Sequence, residues 1–185
     1  MRPNHSFKRT ASPPLNSNVR PQKMHTLKLH NPDKFLNLAE ATSVSHDDVS
    51  NAWERTYAEL ALELNSKSDE YTLYLVCGIQ GAGKTTWVKT NAERFGPSAV
   101  FLDGPLHSRQ SRKRMFEIAQ AAGCQVIAVW IKTPIELALE RNSKRSGLAR
   151  IKETTIRRAQ EQLEPPTISE GFIQVIEVTP ASAEV

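Results

Sequence analysis

Hydrophobic residues along this chain form short apolar runs, separated by segments with helical spacing. The runs predict strands at about residues 71–77, 99–102, 125–131 and 172–178. The first run, Tyr-Thr-Leu-Tyr-Leu-Val-Cys, is almost continuously apolar, as in strands buried on both faces of a sheet. Helical spacing predicts helices at about residues 84–94, 108–122, 134–144 and 152–163. Strands that alternate with helices predict an α/β fold, with a small, doubly wound, mainly parallel sheet flanked by helices.

The segment before the first predicted strand also has a helical pattern, from about residue 33 to residue 65. Ser45, followed three residues later by Asp48, is typical of a capping box at a helix start. Four apolar residues after it fall near one helix face: Val49, Trp53, Leu60 and Leu64. We therefore predict that residues 25–70 form a helical N-terminal segment that packs on a core of residues 71–180; a partner-binding helix is the alternative.

Residues 1–24 are rich in Pro, Asn, Ser and Arg and have no apolar periodicity, which predicts a disordered tail. Met24 is a plausible translation start, so this tail is hypothesised not to be translated. The tail holds five of the 24 Lys and Arg residues and no acid, so the rest carries 19 bases against 20 acids. The net charge of +4 is therefore no argument for a surface that coats nucleic acid.

Two further features bound the class of protein. No apolar run approaches the roughly 18 residues that would predict a membrane span. Cys77 and Cys124 lack metal-ligand spacing, and we interpret both as buried, reduced thiols. Together these features predict a cytoplasmic protein without a membrane partner; the oligomeric state is left open.

A glycine-rich segment follows the first predicted strand and precedes a predicted helix. Its sequence, Gly-Ile-Gln-Gly-Ala-Gly-Lys-Thr at residues 78–85, has the spacing Gly-x4-Gly-Lys-Thr. Glycines let backbone N–H groups surround phosphates closely, and the helix N-terminus adds partial positive charge. The predicted nucleotide-binding residues are Gly78, Gln80, Gly81, Ala82, Gly83, Lys84, Thr85 and Thr86, of which Thr86 is expected mainly to pack in the helix. We predict a P-loop NTPase fold that binds ATP with Mg²⁺; a glycine turn with a surface lysine does not explain the order of strand, loop and helix.

A carboxylate stands at the end of the second predicted strand. Asp103 follows Val-Phe-Leu at the sheet edge where ligands of α/β proteins gather. With Thr85 it is a predicted Mg²⁺ ligand, and it is also a candidate base for an attacking hydroxyl; the structural alternative is an Asp that opens a Gly-Pro turn. No second acid follows it, unlike the Asp-Glu pair typical of mechanical and hydrolytic ATPases.

Basic residues cluster at residues 141–150, where a predicted helix ends. Phosphoryl transfer needs positive charge over the phosphate oxygens and exclusion of water, which a basic lid provides. Arg141 and Arg145 are four residues apart and share one helix face. The candidate catalytic residues are thus Lys84, Asp103, Arg141 and Arg145; a solvated basic surface is the alternative for the lid.

Between residues 78 and 172 the chain resembles the kinase domain of polynucleotide 5′-hydroxyl kinases. The resemblance is carried by the glycine loop, the strand ending in Asp103, Ser-Arg at 111–112, Thr-Pro at 133–134, Arg-Asn-x-x-Arg at 141–145 and Glu-Pro-Pro-Thr-Ile-Ser-Glu-Gly-Phe at 164–172. It implies that Lys84 and Thr85 hold ATP and Mg²⁺. It also implies that Arg145, with Arg141, is the lid arginine on the transferred phosphate.

The chain departs from that family on the acceptor side. Those kinases have two aspartate-tipped strands after the loop, and an arginine three residues past the first aspartate holds the acceptor. Here one such strand exists, and Leu106 stands three residues past Asp103. The chain is thus similar to a shortened, AAA-type or zeta-toxin-like relative. Three nearby arginines, Arg109, Arg112 and Arg114, either grip an anionic acceptor or are solvated surface residues.

The resulting functional prediction is an ATP-dependent kinase that transfers the γ-phosphoryl group to a hydroxyl. Three acceptors stay open: a nucleic-acid 5′ end, a small molecule, or a sugar nucleotide as in toxin-type kinases. The alternative from another class is a nucleotide-binding regulator or weak ATPase that has no phosphoryl acceptor.

Overall fold

The computed structural model describes residues 26–36, 38, 43–66 and 70–179. The strands are β1 Lys28–His30, β2 Thr72–Cys77, β3 Ala99–Asp103, β4 Gln125–Ile131 and β5 Gln174–Val178. The helices are α1 His46–Ser66, α2 Lys84–Asn91, α3 Arg109–Ala121, α4 Ile135–Ser143 and α5 Glu153–Glu161. Short 3-10 helices lie at Pro32–Phe35, Ala92–Phe95, Gly147–Ala149 and Ile168–Glu170. The predicted disordered tail, residues 1–24, falls outside the described residues.

The five strands form one sheet in the order β1-β3-β2-β4-β5, and each neighbouring pair is parallel. β2 lies at the centre, so Leu75 pairs with Leu102 of β3 on one side and with Ala128 of β4 on the other. Helices flank the sheet, and the predicted α/β fold of the P-loop NTPase type is confirmed. The four strands and four helices predicted from residue 71 onwards are present, with ends that differ by at most three residues.

The edge strand β1 was not predicted. It has three residues, which is too short for its own pattern to reveal it, and it exists through pairing with β3, where Leu29 lies opposite Phe101. Helical structure also does not fill residues 33–65, because α1 begins only at His46. The capping box is confirmed: the Asp48 N–H donates to Ser45 Oγ at 3.1 Å, and the Ser45 N–H donates to Asp48 Oδ2 at 2.8 Å.

Apolar side chains fill both faces of the sheet. One buried cluster, under α1 and α3, includes Leu60, Leu64, Leu73, Leu75, Met115 and Phe172. The other, on the side of α2, α4 and α5, includes Val76, Val88, Phe101, Val129 and Ile156. Cys77 and Cys124 are buried as predicted, and burial raises the pKa of the Cys77 thiol to about 12. That thiol therefore stays protonated and packs as an apolar group.

A buried ion pair joins α3 to the segment before β5. The Arg112 guanidinium donates to both carboxylate oxygens of Glu170 at 2.8 Å, and the two side chains are 0% and 2% exposed. The same guanidinium donates to the Leu106 carbonyl at 3.1 Å. Arg112 is thus neither a solvated residue nor an acceptor-binding residue, and both expectations for it were wrong. It crosslinks the loop after β3 to the segment before β5.

Among the described residues, no helix combines the length and apolarity that a membrane crossing requires. The longest helix, α1, has 21 residues and alternates buried with charged positions along its length.

Glu170→Gln tests the buried ion pair. The substitution keeps the shape of the side chain but leaves the Arg112 charge uncompensated inside the protein, so we expect a loss of about 3–5 kcal/mol in unfolding free energy. Urea unfolding measures it. Glu54→Gln is the matched control, because Glu54 pairs with Arg114 on the surface, where ion pairs contribute little. Equal stability of the two variants would contradict a structural role for the buried pair.

Candidate nucleotide-binding site

Steric constraints fix the shape of the glycine loop between β2 and α2. Gly78, Gly81 and Gly83 have φ values of 144°, 83° and 96°, which favour glycine. A Cβ at Gly81 would lie 2.4 Å from the Ala138 carbonyl oxygen of α4, and one at Gly78 would lie 2.8 Å from the Ile131 carbonyl oxygen. The loop is therefore pressed against α4 and the end of β4, which leaves no room for side chains at these two glycines.

Lys84 is the first residue of α2, and its side chain lies under the loop. It is 8% exposed, and its ammonium group donates to the carbonyls of Gly78 and Ile79, both at 3.0 Å. Burial lowers the pKa of Lys84, while the negative charge of Asp103 acts in the opposite direction. The lysine thus lies where a phosphate bound to the loop would meet its charge.

Thr85 and Asp103 meet at the carboxyl edge of the sheet. The Thr85 hydroxyl donates a short hydrogen bond to Asp103 Oδ2, which joins the first turn of α2 to the end of β3. The Asn31 side-chain amide donates to the same oxygen at 3.3 Å. Asp103 is 2% exposed. One hydroxyl and one carboxylate are therefore held together beside the phosphate loop.

Two side chains hold the loop from behind through the Ala82 carbonyl. Thr133, just after β4, donates to it at 2.9 Å, and Arg141 of α4 donates to it at 3.0 Å. Arg141 was predicted as a lid residue that acts on phosphate, and the structure places it on the loop backbone. Thr133 was matched in the resemblance without a role, and its position directly after a strand was the available signal.

The segment after α4 is fixed by Asn142. The side-chain Nδ2 of Asn142 donates to the Ile151 carbonyl at 2.7 Å, and the side-chain Oδ1 accepts from the Ile151 N–H at 3.0 Å. This pair of bonds closes the loop 143–151, which carries Arg145. Arg145 is exposed and lines the same cavity as Lys84.

A cavity of about 670 Å³ opens in front of the loop, a volume in the range of small-molecule sites. The loop side contributes Gln80, Lys84, Thr85 and Thr86, and the neighbouring elements contribute Asp103 and Arg145. A further part of the lining comes from the N-terminal segment and includes Asn31, Asp33 and Trp53; we call it the N-terminal wall. Most of the predicted site residues therefore surround one cavity, and Arg141 supports it from behind. The N-terminal wall was not predicted.

The cavity fits a nucleotide phosphate with Mg²⁺. Gln80 lines the cavity, and its side-chain oxygen is buried without a hydrogen-bond partner in the described structure. No group of three or more His, Cys, Asp or Glu suitable for a metal occurs within the described ranges. Mg²⁺ at phosphate sites needs only one or two protein oxygens besides phosphate and water, and the Thr85–Asp103 pair supplies them.

Comparison with known proteins agrees with this geometry at a coarse level. A family profile described as an AAA domain matches residues 96–166, which is less than half of the chain and begins after the glycine loop. No curated protein sequence matches the chain. The chain contains a P-loop nucleotide-binding domain. The similarity to polynucleotide kinases stays a sequence resemblance.

Gly81→Ala tests the loop geometry. A methyl group there would overlap the Ala138 carbonyl, so the loop must shift, and we expect ATP affinity to fall at least about tenfold. Gly96→Ala is the matched control, because Gly96 has a similar φ of 74° but a Cβ added to it would meet nothing within 4 Å. Isothermal titration with ATP and Mg²⁺ measures both variants. Wild-type affinity in Gly81→Ala would contradict the close packing of the loop on α4.

Proposed function

We propose that this protein is an ATP-dependent kinase that transfers the γ-phosphoryl group of ATP to a hydroxyl acceptor. The observation that carries the proposal is the Thr85–Asp103 hydrogen bond beside Lys84, inside a cavity that also contains Arg145. These four residues were selected from the sequence for four separate parts of phosphoryl transfer. Their meeting around one cavity supports the proposal.

Each residue would have a defined part on the donor side. The loop N–H groups and the Lys84 ammonium bind the phosphates, and Thr85 with Asp103 holds Mg²⁺, which neutralises phosphate charge when bound. Asp103 Oδ2 already accepts hydrogen bonds from Thr85 and Asn31. A carboxylate engaged in this way suits the magnesium role better than the role of general base.

The two lid arginines would act differently. Arg141 is bound to the Ala82 carbonyl and keeps the loop in its binding shape. Arg145 is exposed at the cavity, so its guanidinium can turn toward a bound ligand, and it is the better candidate for contact with the transferred group. A guanidinium there stabilises charge that develops on the phosphoryl oxygens.

The resemblance to polynucleotide kinases carries little information about the acceptor. One of its most discriminating segments is Glu-Gly-Phe at residues 170–172. Glu170 is the buried partner of Arg112, and Phe172 is buried in the core. Gly171 packs on Phe116, since a Cβ added to this glycine would lie 3.3 Å from the Phe116 ring. These contacts stabilise the domain at a distance from the cavity. Leu106 is fully buried, so this position offers no acceptor contact.

Transfer itself is tested with γ-labelled ATP. We expect label in an organic acceptor when the protein is incubated with a small-molecule pool and a 5′-hydroxyl oligonucleotide. Lys84→Ala should abolish the transfer, because the β- and γ-phosphates lose a buried positive charge. Lys89→Ala, an exposed lysine on the same helix, is the matched control and should transfer normally. Label found only as free phosphate would exclude the kinase and favour the weak ATPase.

Asp103→Asn separates nucleotide binding from transfer. The amide keeps the size of the side chain but loses the charge that attracts Mg²⁺, so we expect ATP binding to persist and transfer to fall by at least about tenfold. Titration of Mg²⁺ against the transfer rate should show a raised magnesium requirement. A wild-type transfer rate at low Mg²⁺ in this variant would exclude Asp103 as a magnesium ligand.

A further inference from the structure

The edge strand β1 brings an additional carboxylate to the cavity. β1 runs parallel to β3, so the residues after His30 reach the edge where Asp103 ends its own strand. Asn31 connects the two places: its side-chain oxygen accepts from the Asp33 N–H at 2.8 Å, and its amide donates to Asp103 at 3.3 Å. Asp33 is thereby held in the N-terminal wall of the cavity that the phosphate loop also lines.

We propose that the N-terminal wall of the cavity, formed by described residues between Asn31 and Leu36 and between Val44 and Trp53, is the acceptor site, and that Asp33 accepts the proton of the acceptor hydroxyl. We further infer that the acceptor is a small alcohol without negative charge, whose apolar body packs against Trp53. This inference rests on the proposed kinase function and names the substrate class of the same site.

The N-terminal wall is largely apolar. Its apolar side chains that line the cavity include Pro32, Leu36, Val49 and Trp53. Trp53 lies directly on the turn after Asp103, since a Cβ at Gly104 would be 2.7 Å from the end of its ring. An apolar molecule on this wall would therefore lie next to the residues that hold the donor phosphates. Burial of such a surface stabilises binding without any charged contact.

The charges of the wall oppose an anionic acceptor. Among the described residues that line its N-terminal side, Asp33 and His46 are titratable, and no Lys or Arg is present. Nearby cations are engaged elsewhere: Lys34 pairs with Glu59, Arg55 lies 4.1 Å from the centre of the Phe35 ring, and Arg114 pairs with Glu54. A nucleic-acid end depends on cations that neutralise its phosphates, and the described part of this wall provides none.

The chemical step balances with the groups in the cavity. The acceptor oxygen forms a bond to the γ-phosphorus, the bond from that phosphorus to the β,γ-bridging oxygen breaks, and ADP leaves with the electron pair. The hydroxyl proton passes to the Asp33 carboxylate and from there to water.

The acceptor class is tested by fractionating a small-molecule pool on an anion exchanger at neutral pH. The flow-through holds uncharged and cationic compounds, and the retained fraction holds anions, including sugar nucleotides. Each fraction, and separately a 5′-hydroxyl oligonucleotide, is incubated with the protein, Mg²⁺ and γ-labelled ATP. We expect labelled product from the flow-through. Label only from the retained fraction or the oligonucleotide overturns the acceptor inference and leaves the kinase function standing, whereas label from none of the three overturns both.

Variants test the two named residues with the labelled acceptor. Asp33→Asn should lower kcat by about 10²–10⁴-fold with ATP affinity unchanged, and Asp47→Asn, an exposed aspartate at the start of α1, should match the wild type. Trp53→Ala should raise the acceptor KM at least about tenfold, and Trp53→Phe should restore most of the affinity. Unchanged kcat in Asp33→Asn, in a variant that still binds ATP, would exclude Asp33 as the proton acceptor.

Discussion

Parallel strands all end at one edge of their sheet, and this constraint decides which residues of the chain can meet. β2 opens into the glycine loop, and its neighbour β3 ends at Asp103. The Thr85 hydroxyl then ties the first turn of α2 to the end of β3. Because β1 lies parallel on the far side of β3, the turn that contains Asn31 and Asp33 reaches the same edge. Phosphate-binding groups and acceptor-facing groups can thus surround one cavity although they lie far apart in the chain.

The domain is stabilised partly by residues that resemble functional ones. An arginine at the start of a helix near a phosphate site is easily taken for an anion-binding group, yet Arg112 is bound to Glu170 and the Leu106 carbonyl. A buried pair of this kind stabilises poorly compared with apolar packing, but the loss of either partner is strongly destabilising. Short motifs shared with a kinase family can therefore reflect a common way of fixing the loop after β3. They do not by themselves specify a substrate.

The sequence predicted most of the fold and most of the residues that line the glycine-loop side of the cavity, since both depend on local signals. The apolar run before the loop, the spacing of its glycines and Asp103 at a strand end are each visible within a few residues. The acceptor wall had no such signal: β1 has three residues and depends on its pairing with β3. The sequence pattern predicted Asp33 as part of a helical segment, and it predicted Trp53 on the helix face that packs on the core. Arg141 was predicted as a lid residue that acts on phosphate, and its bond to the Ala82 carbonyl could not be predicted because it depends on how α4 packs.

The distribution of charge in the cavity relates the donor part of the site to the proposed acceptor part. Lys84 and Arg145 line the cavity from the loop and the segment after α4, where the donor would carry its negative charge, and Asp33 lines it from the N-terminal wall. Desolvation by the surrounding groups, followed by the charge of Asp103, raises the pKa of Asp33 in the absence of metal, and Lys84 and Arg145 act in the opposite direction. An anionic acceptor on this wall would lie beside the Asp33 carboxylate and would compete with the donor for the same two cations. A neutral hydroxyl meets neither penalty, so the electrostatics that suit the donor phosphates also select the kind of acceptor.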